Sequence, residues 1–316
     1  MKRHTMAILA GTLVANLAAA DPAGEILKET GVTGGLVVHI GCGDGRLTAA
    51  LRADDGYLVQ GLDTSAENVG RARKHISGMG LYGAVTARAF DGRDLPYGDN
   101  MVNLVVVSDA KCRVPDGEIM RVLAPKGVAW IDGKKRIKPR PGEIDEWTHY
   151  HHDPQGTMVG LDQVVAPPRG IQWVGDPKWL RNHDFMSSMH AMVSTGERVF
   201  YVIDEGLRNH IFLPSKWVLI ARDAFNGTVL WRRPLKDWYP NNWPLKSGPG
   251  QFPRRLVAVG DRVFVTFGQT ESLTALDAVT GKTVRTYDGT KATEEIVLAD
   301  GVLYLLVNPA RKPVTY

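Results

Sequence analysis

The sequence predicts two structural classes in series, a parallel α/β sheet followed by an all-β region. Three observations carry this. Apolar runs alternate with helix-like segments from Gly24 to about Gly133, the β-α-β rhythm of a parallel sheet. A glycine-rich turn, Gly41-Cys42-Gly43-Asp44-Gly45, directly follows the first apolar run. From Met192 onward, short β-branched runs alternate with Gly, Asp and Asn turns and then repeat themselves.

The first zone reads element by element. Leu36-Val37-Val38-His39-Ile40 is a short buried strand, and residues 46–53 continue as a helix. Tyr57-Leu58-Val59-Gln60-Gly61-Leu62 is the second strand, and residues 65–77 the second helix. Residues 85–90 make a third strand, residues 104–107 a fourth and residues 128–131 a fifth, the last after a helix around 118–123. Each strand is a run of four to six residues, most of them apolar.

The all-β zone repeats two elements. Gly196-Glu197-Arg198-Val199-Phe200-Tyr201 matches Gly260-Asp261-Arg262-Val263-Phe264-Val265, and Asp300-Gly301-Val302-Leu303-Tyr304-Leu305 echoes both. Out of phase with these, Ala221-Arg222-Asp223-Ala224-Phe225-Asn226-Gly227 matches Ala275-Leu276-Asp277-Ala278-Val279-Thr280-Gly281. Each unit is strand, turn, strand, with an Asp and a Gly fixing the hairpin. The pattern A-x-D-x-x-[TN]-G resembles the repeat of pyrroloquinoline-quinone (PQQ)-like β-propellers, over about residues 171–306. Between two and three blades are countable, and a propeller closes with about four to eight. The resemblance therefore implies a partial propeller, completed by further chain or by another copy.

Length and composition allow both zones real cores: 316 residues, 44% hydrophobic. Net charge is only +4, with much of the excess in Lys134-Lys135-Arg136-Ile137-Lys138-Pro139-Arg140. The prolines around that run read as a solvated linker, and no specific nucleic-acid signal accompanies it. Residues 1–20 carry a basic start, an apolar stretch and Ala18-Ala19-Ala20, the layout of a signal peptide. On that reading the protein is exported or periplasmic; otherwise it is cytoplasmic. No transmembrane span is expected in the mature chain. The two cysteines, Cys42 and Cys112, form no disulfide framework. The expected boundaries are therefore a signal peptide at 1–20, the α/β domain at 24–133, a basic and His-rich linker at 134–170, and propeller blades at 171–316.

The chemistry concentrates at the glycine-rich turn. Glycines there let the backbone turn tightly and approach a ligand closely. Asp63 ends the second strand, eighteen residues beyond Gly45, and a carboxylate there can accept both hydroxyls of a ribose. Asp91 ends the third strand in Phe90-Asp91-Gly92-Arg93-Asp94-Leu95-Pro96-Tyr97, and Arg121-Val122-Leu123-Ala124-Pro125-Lys126-Gly127 leads into the fifth. Together these elements resemble the class I S-adenosylmethionine (SAM)-dependent methyltransferases of small-molecule type, with a Rossmann-like core over about residues 36–131. The resemblance implies that Gly41, Gly43 and Gly45 line the methionine and ribose part of the cofactor. It implies Asp63 on the ribose hydroxyls with Thr64 beside it, Asp91 at the adenine amino group with Phe90 near the ring, and Asp109 facing the substrate. Three departures stand out: His39 where the family has an acidic residue, Asn103 where an aspartate is common, and no closing helix and hairpin after Ile131.

Two further groups carry candidate chemistry or packing roles. Imidazoles with carboxylates can hold a transition metal. In Asp145-Glu146-Trp147-Thr148-His149-Tyr150-His151-His152-Asp153 the metal candidates are His149, His152 and Asp153, with His183 and His190 further along. Packed or surface histidines are the alternative. Trp217, Trp231 and Trp238 read as blade core and rim. The leading expectation is a SAM-dependent methyltransferase, acceptor and catalytic residue open, carrying a propeller that binds a substrate or protein partner. No general base stands out, and methyl transfer to a good nucleophile needs mainly alignment. The rival is an exported non-enzymatic scaffold. A third reading, a quinoprotein oxidoreductase, is disfavoured because the chain lacks the adjacent cysteine pair that often accompanies PQQ.

Overall fold

A computed structural model describes residues 21–109, 114–164, 167, 170–178, 189–207, 213–238 and 252–310. The signal-peptide expectation and His183 fall outside them. Helix α1 (Pro22–Thr30), not marked in the sequence, starts on Asp21, whose side chain caps Gly24 N, and stops at the left-handed Gly31.

The α/β zone forms one six-stranded sheet. Its strands are β1 (Gly35–Ile40), β2 (Tyr57–Asp63), β3 (Val85–Ala89), β4 (Val102–Val107), β5 (Leu123–Ile131) and β6 (Lys134–Ile137). Their spatial order is β3-β2-β1-β4-β5-β6, parallel except for β6. Helices α2 (Arg46–Ala50), α3 (Ala66–Gly78) and α4 (Asp116–Val122) complete the crossovers. Val37, Val59, Leu104 and Val106 pack on one face with Val69, Ala72 and Ile76 of α3. Val38, Ile40, Leu62 and Val105 pack on the other with Ile119 and Val122 of α4. That explains the unbroken apolar strands.

The order reverses at β1, since β2 lies to one side of it and β4 to the other. Crossovers leaving in opposite directions open a crevice at the strands' carboxyl ends, which is where such sheets bind ligands.

Two sequence expectations are corrected here. The basic run is not a linker: Lys134–Ile137 pairs antiparallel with β5, Val128 opposite Ile137 and Ile131 opposite Lys134. A closing hairpin therefore exists after Ile131, one strand long, and its charges blunt an exposed sheet edge. Arg136 pairs with Asp116, and Lys138 Nζ donates to the Leu123 carbonyl. Strand β5 also begins five residues earlier than its apolar run, because α4 ends at Val122 and passes into strand without a loop.

The all-β zone forms antiparallel meanders. Strands β7 (Met189–Thr195), β8 (Arg198–Asp204), β9 (Trp217–Asp223) and β10 (Val229–Pro234) make a first sheet. Strands β11 (Leu256–Val259), β12 (Arg262–Thr266), β13 (Leu273–Asp277) and β14 (Thr283–Thr286) make a second, and β15 (Thr293–Ala299) pairs with β16 (Val302–Val307). The two sheets share a core of Phe200, Val202, Leu219, Val263, Val265 and Leu276. The repeated turns are alike in detail. Asp223 Oδ1 accepts from Phe225 N and Asn226 N, and Asp277 Oδ1 from Thr280 N. Trp173 lies on Gly227 and donates to the Ala224 carbonyl at 3.0 Å; Trp231 lies on Gly281 and donates to the Ala278 carbonyl at 3.0 Å. Both glycines have positive φ and leave room for an indole where a Cβ would collide with it.

The two zones meet at the amino ends of the parallel strands. Leu230 abuts Gly34 and Gly56, which precede β1 and β2. Asn103, at the start of β4, accepts from Leu36 N at 2.8 Å and donates to Asp223 Oδ2 at 2.7 Å. A cavity of about 470 Å³ lies in this seam, lined among others by Lys126, Glu197, Arg198 and Asp223. A six-residue strand spans about 20 Å, so the β-sheets sit that far from the glycine-rich turn.

Candidate cofactor site at the glycine-rich turn

Strand β1 ends at Ile40 and the chain turns through Gly41, Gly43 and Gly45, at φ of 80°, 52° and 83°. Each glycine has its own reason. A Cβ on Gly41 would stand 2.5 Å from Asp109 Cβ, and one on Gly45 2.7 Å from the Ala72 backbone of α3. At Gly43 nothing lies within 4 Å of that direction, so this peptide opens onto free space beside Asp63.

Asp63 is buried at the end of β2 and orders the turn. Its Oδ2 accepts from Gly43 N at 3.0 Å, its Oδ1 from Ser65 N at 2.9 Å, and Asn68 Nδ2 reaches both oxygens at 3.1 Å. Those contacts satisfy the four acceptor positions of a carboxylate. A ribose diol on Asp63 therefore requires Asn68 to swing aside. Asn68, at the start of α3, carries no signal that would have marked it in the sequence.

The other expected residues gather along the same edge. Thr64 packs on Gly92 just past β3. Asp91 is exposed, and its Oδ1 accepts from Arg93 N and Asp94 N, which holds its carboxyl below the ordinary range. Phe90 is half-buried against the core on the α4 side of the sheet. Asp109 follows β4 and its backbone rests on Gly41. All eight expected residues, Gly41, Gly43, Gly45, Asp63, Thr64, Phe90, Asp91 and Asp109, thus lie on the carboxyl edge of the sheet.

His39 is buried directly beneath. Its Nδ1 bonds with Thr48 Oγ1 at 2.8 Å and its Nε2 with Ser108 Oγ at 2.9 Å. Burial pushes its pKa down to about 4, against a smaller upward pull from Asp63. The imidazole is therefore neutral at pH 7 and ties β1 to α2 and to the end of β4. It cannot do the work of a carboxylate.

The His-rich stretch is stitched across the β-sheets, and the structure does not bring His149, His152 and Asp153 together as a ligand set. His149 Nε2 accepts from Leu298 N at 3.1 Å, which leaves its proton on Nδ1, facing Thr148 Oγ1. His152 Nε2 lies 2.6 Å from Asp145 Oδ2 and its Nδ1 3.2 Å from Asp153 Oδ2. Among the described residues no three His, Cys, Asp or Glu side chains converge as a metal site. Nor is any helix among them long and apolar enough to cross a membrane. Trp217 and Trp238 are buried in the core shared by the two sheets, and Trp231 packs against it.

Residues 37–127 match the sequence model of a methyltransferase domain. The demethylmenaquinone methyltransferase of Lactobacillus johnsonii is 34% identical over 105 residues, which is 31% of this chain and 43% of that protein. Squalene methyltransferase 2 of Botryococcus braunii is 22% identical over 184 residues, 49% of each chain. The chain thus spans about half the length of these relatives, or less. Among solved structures, the geranyl diphosphate C-methyltransferase of Streptomyces coelicolor A3(2), in complex with Mg2+, geranyl diphosphate and S-adenosyl-L-homocysteine, is similar over 34% of this chain and 42% of its own. Identity there is 20% and the TM-score 0.32. The core of the α/β zone is therefore similar to methyltransferase domains over residues 37–127.

Proposed function

We propose that this chain binds SAM at the Gly41–Gly45 turn and transfers its methyl group to an acceptor entering over the carboxyl edge of the sheet. One observation carries the reading: Gly43 opens onto free space beside the buried carboxylate of Asp63. That pairing suits a nucleoside whose hydroxyls seek a carboxylate while its sugar lies on bare backbone. Gly41, Gly43 and Gly45 would line the methionine and ribose part, Asp63 and Thr64 the ribose, and Asp91 and Phe90 the adenine. The bound cofactor supplies an activated methyl group. The chain's part is to orient it, and orientation alone lowers the barrier substantially.

The β-sheets read as successive blades of a propeller, because Trp231 docks on the turn of the second sheet as Trp173 docks on that of the first. They lie behind the sheet, across the Asn103–Asp223 contact, so they are not an acceptor wall. We assign them the role of a scaffold for a protein partner. The rival, a binding or scaffolding protein without turnover, draws on the four hydrogen bonds that already occupy Asp63.

Calorimetric titration of the whole chain with SAM and S-adenosylhomocysteine separates these readings. Micromolar binding of both supports the methyltransferase; absence of binding at millimolar ligand leaves the scaffold.

A further inference from the structure

The segment from Trp147 to His149 runs across the first strand of three successive sheets. The Trp147 carbonyl accepts from Ser194 N of β7, the Thr148 carbonyl from Ala258 N of β11, and His149 Nε2 from Leu298 N of β15. One residue serves each sheet, so the chain that follows is held firmly beside β11 and β15. It encloses with them a cavity of about 250 Å³, to which the α/β zone contributes no wall among the described residues. Drug-sized ligand sites begin at roughly 300 Å³, so this one suits a single small ring.

The walls say what kind of ring. Tyr150 and His151 stack on each other, centroids 4.4 Å apart and planes 30° from parallel, and Tyr150 remains 36% exposed. The His151 nitrogens and the Tyr150 hydroxyl meet no hydrogen-bond partner among the described residues. Opposite them, Arg254 Nη1 donates to Glu295 Oε1 at 2.7 Å. That leaves the other N–H groups of Arg254 and Glu295 Oε2 unspent among the described residues. Strand β15 breaks register with β16 between Thr293 and Glu295, a bulge of the kind that re-aims a side chain.

Charge narrows the ligand further. Arg254 and Glu295 cancel. Thr157 and His152 hold the Asp153 carboxyl down at about 2 and take both of its oxygens. An anion would face two carboxylates, and a cation would find both already bonded. What remains is unspent donors and acceptors beside an aromatic face, the complement of an uncharged ring carrying hydroxyls. A hydroxyl both donates and accepts, and two neighbouring ones match the free N–H of Arg254 and the free oxygen of Glu295.

We infer that this pocket binds one pyranose unit of a saccharide. The site stands apart from the SAM reading and does not depend on it, and it gives the β-sheets a ligand of their own.

Saturation-transfer NMR and calorimetry on the whole chain test it with glucose, galactose, mannose and N-acetylglucosamine. Each is offered as its methyl glycoside and as the end unit of a disaccharide. At least one should bind with millimolar affinity or better. A disaccharide tighter than its methyl glycoside supports the end of a longer chain as the ligand, and equal affinity supports the free sugar. His151→Ala and Glu295→Gln should each weaken that binding at least about tenfold, with the fold retained by circular dichroism. Glycerol, which has hydroxyls and no ring face, should bind at least about tenfold more weakly than the sugar. No binding of any sugar at about 100 mM, binding that both variants leave unchanged, or displacement of the sugar by inorganic phosphate overturns the assignment. Should neither variant fold, the wild type answers the same question. The bound sugar should protect His151 from diethyl pyrocarbonate, located by mass spectrometry, and an unprotected His151 overturns the assignment.

Discussion

Asn103 Nδ2 donates to Asp223 Oδ2 at 2.7 Å across 120 residues of sequence, joining the amino end of β4 to the first repeated turn of the β-sheets. The same Asn103 Oδ1 accepts from Leu36 N and from Asn226 Nδ2 at 2.7 Å. Gly35 has to be glycine for this, since a Cβ there would stand 2.1 Å from that oxygen. Asparagine at position 103 thus serves the contact between the α/β zone and the β-sheets.

Asn103→Asp should set a carboxylate against Asp223, whose own pKa is already raised by burial. Stability at pH 7 should fall by about 3 kcal/mol. A carboxyl whose folded pKa is raised costs stability above its ordinary value, so the deficit should shrink as pH falls toward about 4. Denaturant melts at pH 7 and pH 4.5 measure it. An equal deficit at both would point to lost packing instead.

Gly41→Ala would push a Cβ into Asp109 at a positive φ. A cost of roughly 2–4 kcal/mol is expected, together with loss of nucleoside binding, readable from thermal melts with and without ligand. Gly43→Ala meets no atom, so its strain is that of φ alone, about 1 kcal/mol. Its methyl group should block the ligand while the chain stays folded.

The order of these elements was legible because the central parallel strands bury both faces and write themselves as nearly unbroken apolar runs. The glycines and Asp63 were legible because backbone approach and strand ends leave few choices of residue. Strand β6 was not, because an exposed edge strand of Lys134, Lys135 and Arg136 has the composition of a linker. Asn68 and Asn103 were not, since their roles depend on partners distant in sequence or on a conformation of the side chain. The His-rich stretch looked like chemistry, yet His149 serves the Leu298 backbone of β15 and His152 the stretch's own Asp145 and Asp153.

His39 makes a pH prediction of opposite sign to His152. Its folded pKa of about 4 lies below the ordinary 6.5, so its contribution is intact above pH 6.5 and lost as pH falls through 4. The loss should approach roughly 3 kcal/mol. His39→Gln should flatten that part of the stability profile. Burial opposes charge on His152, but Asp145 and Asp153 outweigh it and raise the pKa. Its contribution is therefore full below pH 6.5 and fades as pH rises past its raised value. His152→Gln should remove stability at pH 6 and little at pH 9. Chemical denaturation across pH, variant against wild type, reads both.

Asn68→Ala should free two acceptor positions on Asp63 at a small cost in stability, about 1 kcal/mol. If Asn68 competes with the ribose diol, S-adenosylhomocysteine should bind as well or a few-fold better. A tenfold loss would show instead that Asn68 supports the site, and calorimetry decides.

The claim that the glycine-rich turn and Asp63 form a cofactor site is tested most directly by titrating S-adenosylhomocysteine into the whole chain, wild type beside Asp63→Asn. The account expects micromolar affinity in the wild type and at least about a hundredfold loss in the variant, with the fold retained by circular dichroism. Binding that survives Asp63→Asn unchanged, or no binding by the wild type at millimolar ligand, would contradict it.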